Sequence, residues 1–423
     1  MKLVERLKNR LMYPAALTYV SWQSRINRLK SFGKKDKVIF AELYAGQKIM
    51  LMALYEKGRI REDVVAAMAT AKAQGVYVIG VNTLKLGVPE NYKSCMSCYI
   101  ERYNFGRDFG SYKSGFEYVY ANGLAEKCPV LLMINDSVFF SKKHTAKFID
   151  DMLEGGVEVL GSTENFEIEH HLGSFCIAMK GSVLNNIKLK QYWRAYKCTD
   201  VRPVVIKTGE MELSKTLKRI VSSSEEFRSL YDAAHAAGLL QNDAALLNSI
   251  AELSRSSEFT ECPKFNFASV SENILDKYLH NSAELTRIGV NVDVNEISTL
   301  HMQFVSTLSE FNGFMHNSIT NSDKLDGRLC RAVKEEALSS FITYFKMGSQ
   351  IHQNGIFLHK IGLPIIKLDG IYRGMFNARD VERIANDLEP DQQEAFRRIM
   401  YSRPYGRAVL FGWKRAAFER GLI

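Results

Sequence analysis

A chain of 423 residues with 46% hydrophobic side chains buries a large core and is too long for one average domain. Its net charge of +9 and pI of about 9.0 point to anionic partners, and no run approaches the length of uncharged apolar sequence that crosses a bilayer. The 7 scattered cysteines, odd in number, argue against a disulfide scaffold and for a reducing compartment, and the basic start lacks the apolar core and cleavage site of a signal peptide.

In chain order, residues 1–39 read as a basic segment, 40–225 as an α/β domain and 226–423 as a helix-rich region with a basic tail. Lys48–Tyr55 is short, apolar and closed by Lys57-Gly58, which predicts a buried strand. Arg61–Ala73 predicts an amphipathic helix with Val64, Val65, Met68 and Ala71 on one face and Gly75 as its stop. Strands are predicted at Val76–Val81, Cys98–Arg102, Val130–Ile134, Val157–Gly161 and Phe175–Met179, with helices at Ser111–Asn122 and Thr145–Leu153 between them. This alternation predicts a mainly parallel, Rossmann-like sheet with right-handed crossovers. Ser222–Ser254, Leu325–Phe345, Ile351–His359, Asp380–Leu388 and Gln392–Arg398 read as helical, and Ile365–Asp369 as a short strand. Residues 258–300 carry no clear period.

The chemistry concentrates in Arg102-Tyr-Asn-Phe-Gly-Arg-Asp-Phe-Gly-Ser-Tyr-Lys113 and in the run Val130–Ile134 that ends on Asn135-Asp136-Ser137. Gly106 and Gly110 allow a sharp turn and a close approach to a ligand. An acid at the end of a buried strand, beside a glycine-rich strand-to-helix turn, is how an open α/β sheet builds a nucleotide site. Asn104, Gly106, Arg107, Asp108, Ser111, Lys113, Asn135 and Ser137 are therefore candidates for binding a nucleotide diphosphate, and Asp136 for a divalent ion. Asp108 equally suits a helix start, and Asn135 and Ser137 equally suit a turn.

The order of these pieces resembles the rhamnan synthesis protein F family of bacterial glycosyltransferases. The resemblance rests on Leu54–Arg61, Arg102–Tyr112, Asn135-Asp-Ser-Val138, His171-Leu-Gly-Ser-Phe175, and later His352 with Gly362–Lys367. It implies a GT-A-like nucleotide-sugar fold and a role in building surface polysaccharide, often with a deoxyhexose such as rhamnose. It also implies a nucleotide-diphospho-sugar donor and a lipid-linked or polysaccharide acceptor. The usual GT-A metal signature is Asp-x-Asp, whereas this chain offers one carboxylate, Asp136, to Mg2+ or Mn2+.

Sugar transfer also calls for a base when the reaction inverts. Glu210, in Thr208-Gly-Glu-Met-Glu212, resembles the acid that many GT-A enzymes place before a helix; Glu212 is second and the cluster Glu164, Glu167 and Glu169 third. Acids also simply favour a helix's first turn. His171 and Ser174 are expected on the acceptor side, with His352 and Lys367 from the later match; His352 and His359, seven apart, would share one helical face. The His170-His171 pair lacks a convincing third ligand for zinc, and Cys95-Met-Ser-Cys98 has no second pair. Asp136 is expected to be partly exposed, so that its removal costs little stability.

A GT-like scaffold without turnover is the alternative, favoured by the missing second Asp. The basic ends interleave Lys and Arg with Trp22, Tyr19, Phe411 and Trp413, a pattern suited to an anionic membrane surface. The chain is expected in the cytoplasm, meeting the inner face of the cytoplasmic membrane. No nucleic-acid signature is present, so nucleic acid is not expected as a partner.

Overall fold

The computed structural model describes residues 2–254, 256, 265–267, 269–270, 310 and 322–423. The stretch without clear period, 258–300, lies almost wholly outside them, and the side chains of residues 2–11 and 322–330 are also outside the description.

The basic segment at the start forms a 30-residue helix, α1 (Lys2–Ser31). It leads into β1 (Lys37–Ala41), then β2 (Ile49–Leu54), α2 (Glu62–Ala73), β3 (Tyr77–Asn82), β4 (Cys98–Glu101), α3 (Arg107–Ala121) and β5 (Val130–Asn135). β6 (Val138–Phe140), β7 (Val159–Gly161), β8 (Glu164–Asn165), β9 (His171–Leu172), β10 (Cys176–Lys180) and β11 (Phe227–Ser229) follow. The main sheet has eight strands in the order β1-β4-β3-β2-β5-β10-β7-β11. β4, β3, β2 and β5 run parallel, β11 runs parallel to β7, and β1 and β10 run antiparallel to their neighbours. The mainly parallel sheet flanked by helices is the fold class expected from the sequence. Its eighth strand, β11, comes from beyond residue 225, so the sheet extends past the boundary expected there.

Continuous apolar runs form the central strands because helices cover both faces. Along β2, Met50, Met52 and Leu54 face α2 and the Thr145–Glu154 helix with Val64, Met68, Phe148 and Met152. Ile49, Leu51 and Ala53 face α3 and the Ile187–Ala195 helix with Phe116, Val119, Leu189 and Trp193. Each such Val, Leu, Ile, Met or Phe side chain, when fully buried, contributes about 1.5–3 kcal/mol.

The C-terminal region is helical, with Ser322–Phe345, Ala378–Asp387 and Pro390–Tyr401 as its longer helices, and it carries β12 (Ile365–Lys367). β12 pairs antiparallel with β6, setting Ile365 opposite Phe140 and Lys367 opposite Val138. Phe139 thereby enters the C-terminal core with Ile366, Phe376, Val381 and Phe396. The stretch expected as one helix over Ile351–His359 breaks at Asn354, between Gln350–Gln353 and Gly355–Lys360. His352 and His359 therefore do not share a face: His352 turns to Asp369 and His359 to Asp387. Among the described residues no helix is long and apolar enough to cross a membrane.

Candidate functional site at the strand ends

The parallel strands β4, β3, β2 and β5 end on one edge of the sheet, and the chain leaves that edge at Arg102, Thr83, Tyr55 and Asp136. α3 starts from the same edge, Gly106 turning the chain at φ 90° and Arg107 following at φ 53°. Asp108 lies in its first turn and accepts a hydrogen bond from Asn135 Nδ2 at 3.1 Å. Asn135 Oδ1 in turn accepts from Ser137 Oγ at 2.6 Å and Ser137 N at 3.2 Å. The structure thus joins Asp108, Asn135, Asp136 and Ser137, the strand-end group singled out in the sequence.

Asp136 is buried, 6% exposed, which corrects the expectation of a partly exposed side chain. The turn into β6 tucks it under the end of β2, where Oδ2 accepts from the Tyr55 amide at 2.5 Å. Burial raises its pKa from 3.8 to about 7; the Tyr55 hydrogen bond and Arg61 oppose the rise, while Asp108 and Glu56 add to it. Arg61 was not singled out as a site residue, though it ends one of the matched segments. It clasps the same turn, donating to the carbonyls of Asp136 at 3.0 Å and Val138 at 2.6 Å, with both Asp63 oxygens at 3.0 and 3.1 Å.

β12 carries the later matched segment to this edge. Lys367 Nζ lies 3.4 Å from Ser137 Oγ and 4.3 Å from the Phe175 ring centre. Burial lowers its pKa, while Asp369, Glu210 and Asp108 favour its charge. Asp369, also missed in the sequence, has His352 Nε2 at 3.4 Å and Arg373 Nε at 3.1 Å. Burial pushes its carboxyl up, but His352, Lys367 and Arg373 outweigh that and hold it well below the usual range. Arg202 interacts with Arg373, Asp369, Glu210 and Arg107 and extends the same charged group. Asp369 and Arg202 carried no signal in any short motif; only the fold assembles them.

Glu210 sits in a π-helical turn, Ile206–Met211, rather than an ordinary first turn, and is partly exposed. Its Oε2 lies 3.9 Å from Nε2 of the buried His171. His171 Nδ1 is 2.8 Å from the Glu169 carbonyl, which places a proton on Nδ1 and turns Nε2 toward Glu210. Ser174 is buried, and its carbonyl accepts from Tyr112 Oη at 3.1 Å. Glu210, His171 and Ser174 thus flank the strand-end group on the side of Lys367.

Other candidates fall elsewhere. Lys113 donates to the carbonyls of Trp193, Arg194 and Tyr196 at 2.8–3.2 Å. It caps a neighbouring helix whose free carbonyls attract a cation, so it is removed from the donor-side group. Ser111 is buried within α3, and Asn104 is exposed in the turn before it. The two glycines serve packing rather than ligand approach. A Cβ on Gly106 would stand 2.7 Å from Cys198 Cβ, and one on Gly110 2.6 Å from the Phe105 carbonyl oxygen. Glu212 turns to Arg219 at 3.8 Å, Glu164 to His170 at 3.3 Å and Glu169 to Lys215 at 2.8 Å. Cys95 and Cys98 are buried free thiols, both pushed up to about 11 by burial.

Magnesium and manganese need deprotonated oxygen ligands. One oxygen of Asp136 is held by the Tyr55 amide, and Asn135 occupies an oxygen of Asp108. Among the described residues no group of three or more His, Cys, Asp or Glu is placed to hold a metal ion. The residues present fit a divalent ion poorly.

Comparisons with known proteins bear on this geometry. The family model described as rhamnan synthesis protein F matches residues 78–307, more than half of the chain, from β3 through the strand-end group and Glu210. A protein of Sinorhizobium fredii (strain NBRC 101917 / NGR234), the uncharacterized protein y4gN, is 25% identical over 174 residues, 40% of this chain and 45% of that one. The virulence protein VirA of Vibrio anguillarum (strain ATCC 68554 / 775) is 29% identical over 133 residues, 30% of this chain and 42% of that one. The chain therefore spans less than half the length of these curated relatives. Among solved structures, the glycosyltransferase GlyE of Streptococcus pneumoniae TIGR4 aligns over 47% of this chain and 49% of that one, at 11% identity and a TM-score of 0.24. The fold described above stands on its own strand order, and the family match on the sequence: the chain belongs to the rhamnan synthesis protein F family.

Proposed function

We propose that this chain is a glycosyltransferase that moves a hexose, rhamnose among the candidates, from a nucleotide-diphospho-sugar to a growing surface polysaccharide or lipid-linked glycan. One observation carries the reading. Four segments far apart in sequence place Asp136, Asp108, Lys367 and Glu210 in one electrostatically connected group at the edge where parallel strands end. That edge is where open α/β sheets bind nucleotides, and membership of the rhamnan synthesis protein F family supports a role in polysaccharide synthesis.

In this reading the donor's diphosphate lies over the start of α3, whose free amides and N-terminal dipole favour anions. Lys367 and Arg107 neutralise the leaving diphosphate, in place of the divalent ion that the family resemblance implied. Glu210 accepts the proton of the attacking acceptor hydroxyl, and the buried His171, 3.9 Å away, walls the same position.

Calorimetry with uridine, guanosine and deoxythymidine diphosphates, each with manganese or with a chelator, tests the donor site; absence of binding by all of them removes it. Release of nucleotide from sugar donors in the presence of an acceptor lipid then separates a transferase from a scaffold that binds without turnover.

A further inference from the structure

A cavity of about 890 Å3 opens between α1 and residues 187–219. Its size lies within the roughly 300–1,000 Å3 of small-molecule sites. Arg25, Arg28, Lys188, Lys197 and Arg219 line it, and Glu212 is the single acid among its lining residues. Glu212 is 3.8 Å from Arg219, and among the described residues Arg25, Arg28 and Lys197 have no carboxylate within ion-pair distance. Phe105, Tyr192, Val201 and Val204 contribute apolar wall to the same cavity. The buried Tyr196 hydroxyl has no hydrogen-bond partner among the described residues. Tyr196 also interacts electrostatically with Glu210 and Asp108 of the candidate site.

A cavity that combines unneutralised cations with apolar wall selects an anionic head joined to an apolar chain. The surroundings indicate where such a molecule comes from. At 100° per residue, Trp22 and Leu29 stand on α1 beside the face formed by Ser21, Ser24, Arg25 and Arg28. Trp22 is 58% exposed, and Phe32, just past the helix, is 90% exposed. The C-terminal helix Gly412–Glu419 packs along α1, with the Tyr19 and Trp413 rings 5.5 Å apart and Phe411 exposed beside them. The two basic ends of the chain thus pack against each other, with Trp22 exposed on α1 beside the cavity, an aromatic-and-cation pattern suited to a headgroup zone.

We propose that this cavity seats an anionic membrane lipid, its phosphate held by Arg25, Arg28 and Lys197 and the start of its chain lying on Tyr192, Val201 and Val204. The site stands apart from the proposed sugar transfer and would exist in an inactive chain. Farnesyl phosphate and inorganic phosphate serve as probes in calorimetry with the full chain. Sedimentation with vesicles of phosphatidylcholine, with and without phosphatidylglycerol, covers the bilayer. One farnesyl phosphate is expected per chain, at least tenfold tighter than inorganic phosphate, with sedimentation only by the anionic vesicles.

The paired reversal R25E/R28E alters exposed side chains that pair with no described carboxylate and is expected to weaken both interactions at least tenfold. K30E, on the same helix but outside the cavity lining, should leave farnesyl phosphate affinity within twofold. V204W fills the cavity without changing charge and should block farnesyl phosphate, which keeps the test open if the double reversal disturbs α1. Farnesyl phosphate binding no tighter than inorganic phosphate, equal sedimentation by neutral vesicles, or equal losses in K30E and R25E/R28E would overturn the proposal. Loss of nucleoside diphosphate binding in R25E/R28E would reassign the cavity to the donor and also overturn it.

Discussion

Burial, with Asp108 and Glu56 adding to it, outweighs Arg61 and the Tyr55 amide and raises the Asp136 carboxyl to about 7. A rise from 3.8 to about 7 corresponds to about 4 kcal/mol between the two protonation states. The folded chain holds this proton more tightly than the unfolded one, so the favourable contribution is complete below about pH 4 and lost as pH rises through 7. Asp136→Asn keeps an acceptor for the Tyr55 amide and removes the titration. Its stability relative to the parent should therefore improve by about 2–4 kcal/mol between pH 4 and pH 8, read by urea unfolding at both values. A constant difference across that range would show that Asp136 titrates normally. For the proposed transfer, Glu210→Gln retains shape and loses basicity. Turnover should fall by roughly 100-fold or more with donor affinity nearly unchanged, measured by steady-state kinetics and calorimetry. Lys367→Ala should reduce nucleoside diphosphate affinity at least tenfold, both with manganese and in a chelator; loss only in the chelator would return the leaving group's stabilisation to a metal ion.

The start of α3 shows how backbone geometry sets the site. Gly106 combines a left-handed backbone with a gap too small for a methyl group against Cys198, and its amide donates to Asp200 Oδ1 at 2.7 Å. Gly106→Ala should destabilise the chain by about 2 kcal/mol and weaken nucleotide binding as Asp108 shifts, measured by thermal unfolding and calorimetry. Much at this scale was legible before the fold. Asp108, Asn135 and Asp136 could be read because an apolar run ending in polar residues marks a strand's end, and a strand's end fixes which edge they share. Lys113 misled because sequence proximity to Asp108 says nothing of the helix face it occupies. His352 and His359 misled because their shared face assumed an unbroken helix, whereas Asn354 at φ −120° interrupts it. Asp369 and Arg202 could not be read at all, since their roles depend on β12 crossing to β6 over more than two hundred residues of chain.

Across the whole molecule, the sheet and the C-terminal helices are welded at the turn that carries Asp136. β6 follows that turn directly, pairs with β12, and sends Phe139 into the C-terminal core, where its ring lies 5.0 Å from Phe396. Gln392 clamps the other end, accepting from the Lys142 amide at 2.7 Å and donating to the Phe140 carbonyl at 2.9 Å. Lys142 pairs with Asp391, and Lys143 with Asp387 at 3.0 Å. The exposed pairs contribute little, on the order of 0–1 kcal/mol each; the buried ring and the strand pairing dominate. The two regions should therefore unfold together despite their different composition. Phe139→Ala leaves a cavity and should cost about 3–5 kcal/mol. In native-state hydrogen exchange, that loss should appear equally at β5, on the sheet side, and at Val381–Ala385, on the helical side. If β5 kept its protection while the helices lost theirs, the C-terminal region would be an independently melting unit, and the position of Lys367 and Asp369 beside Asp136 would be a docking equilibrium rather than part of one cooperative fold.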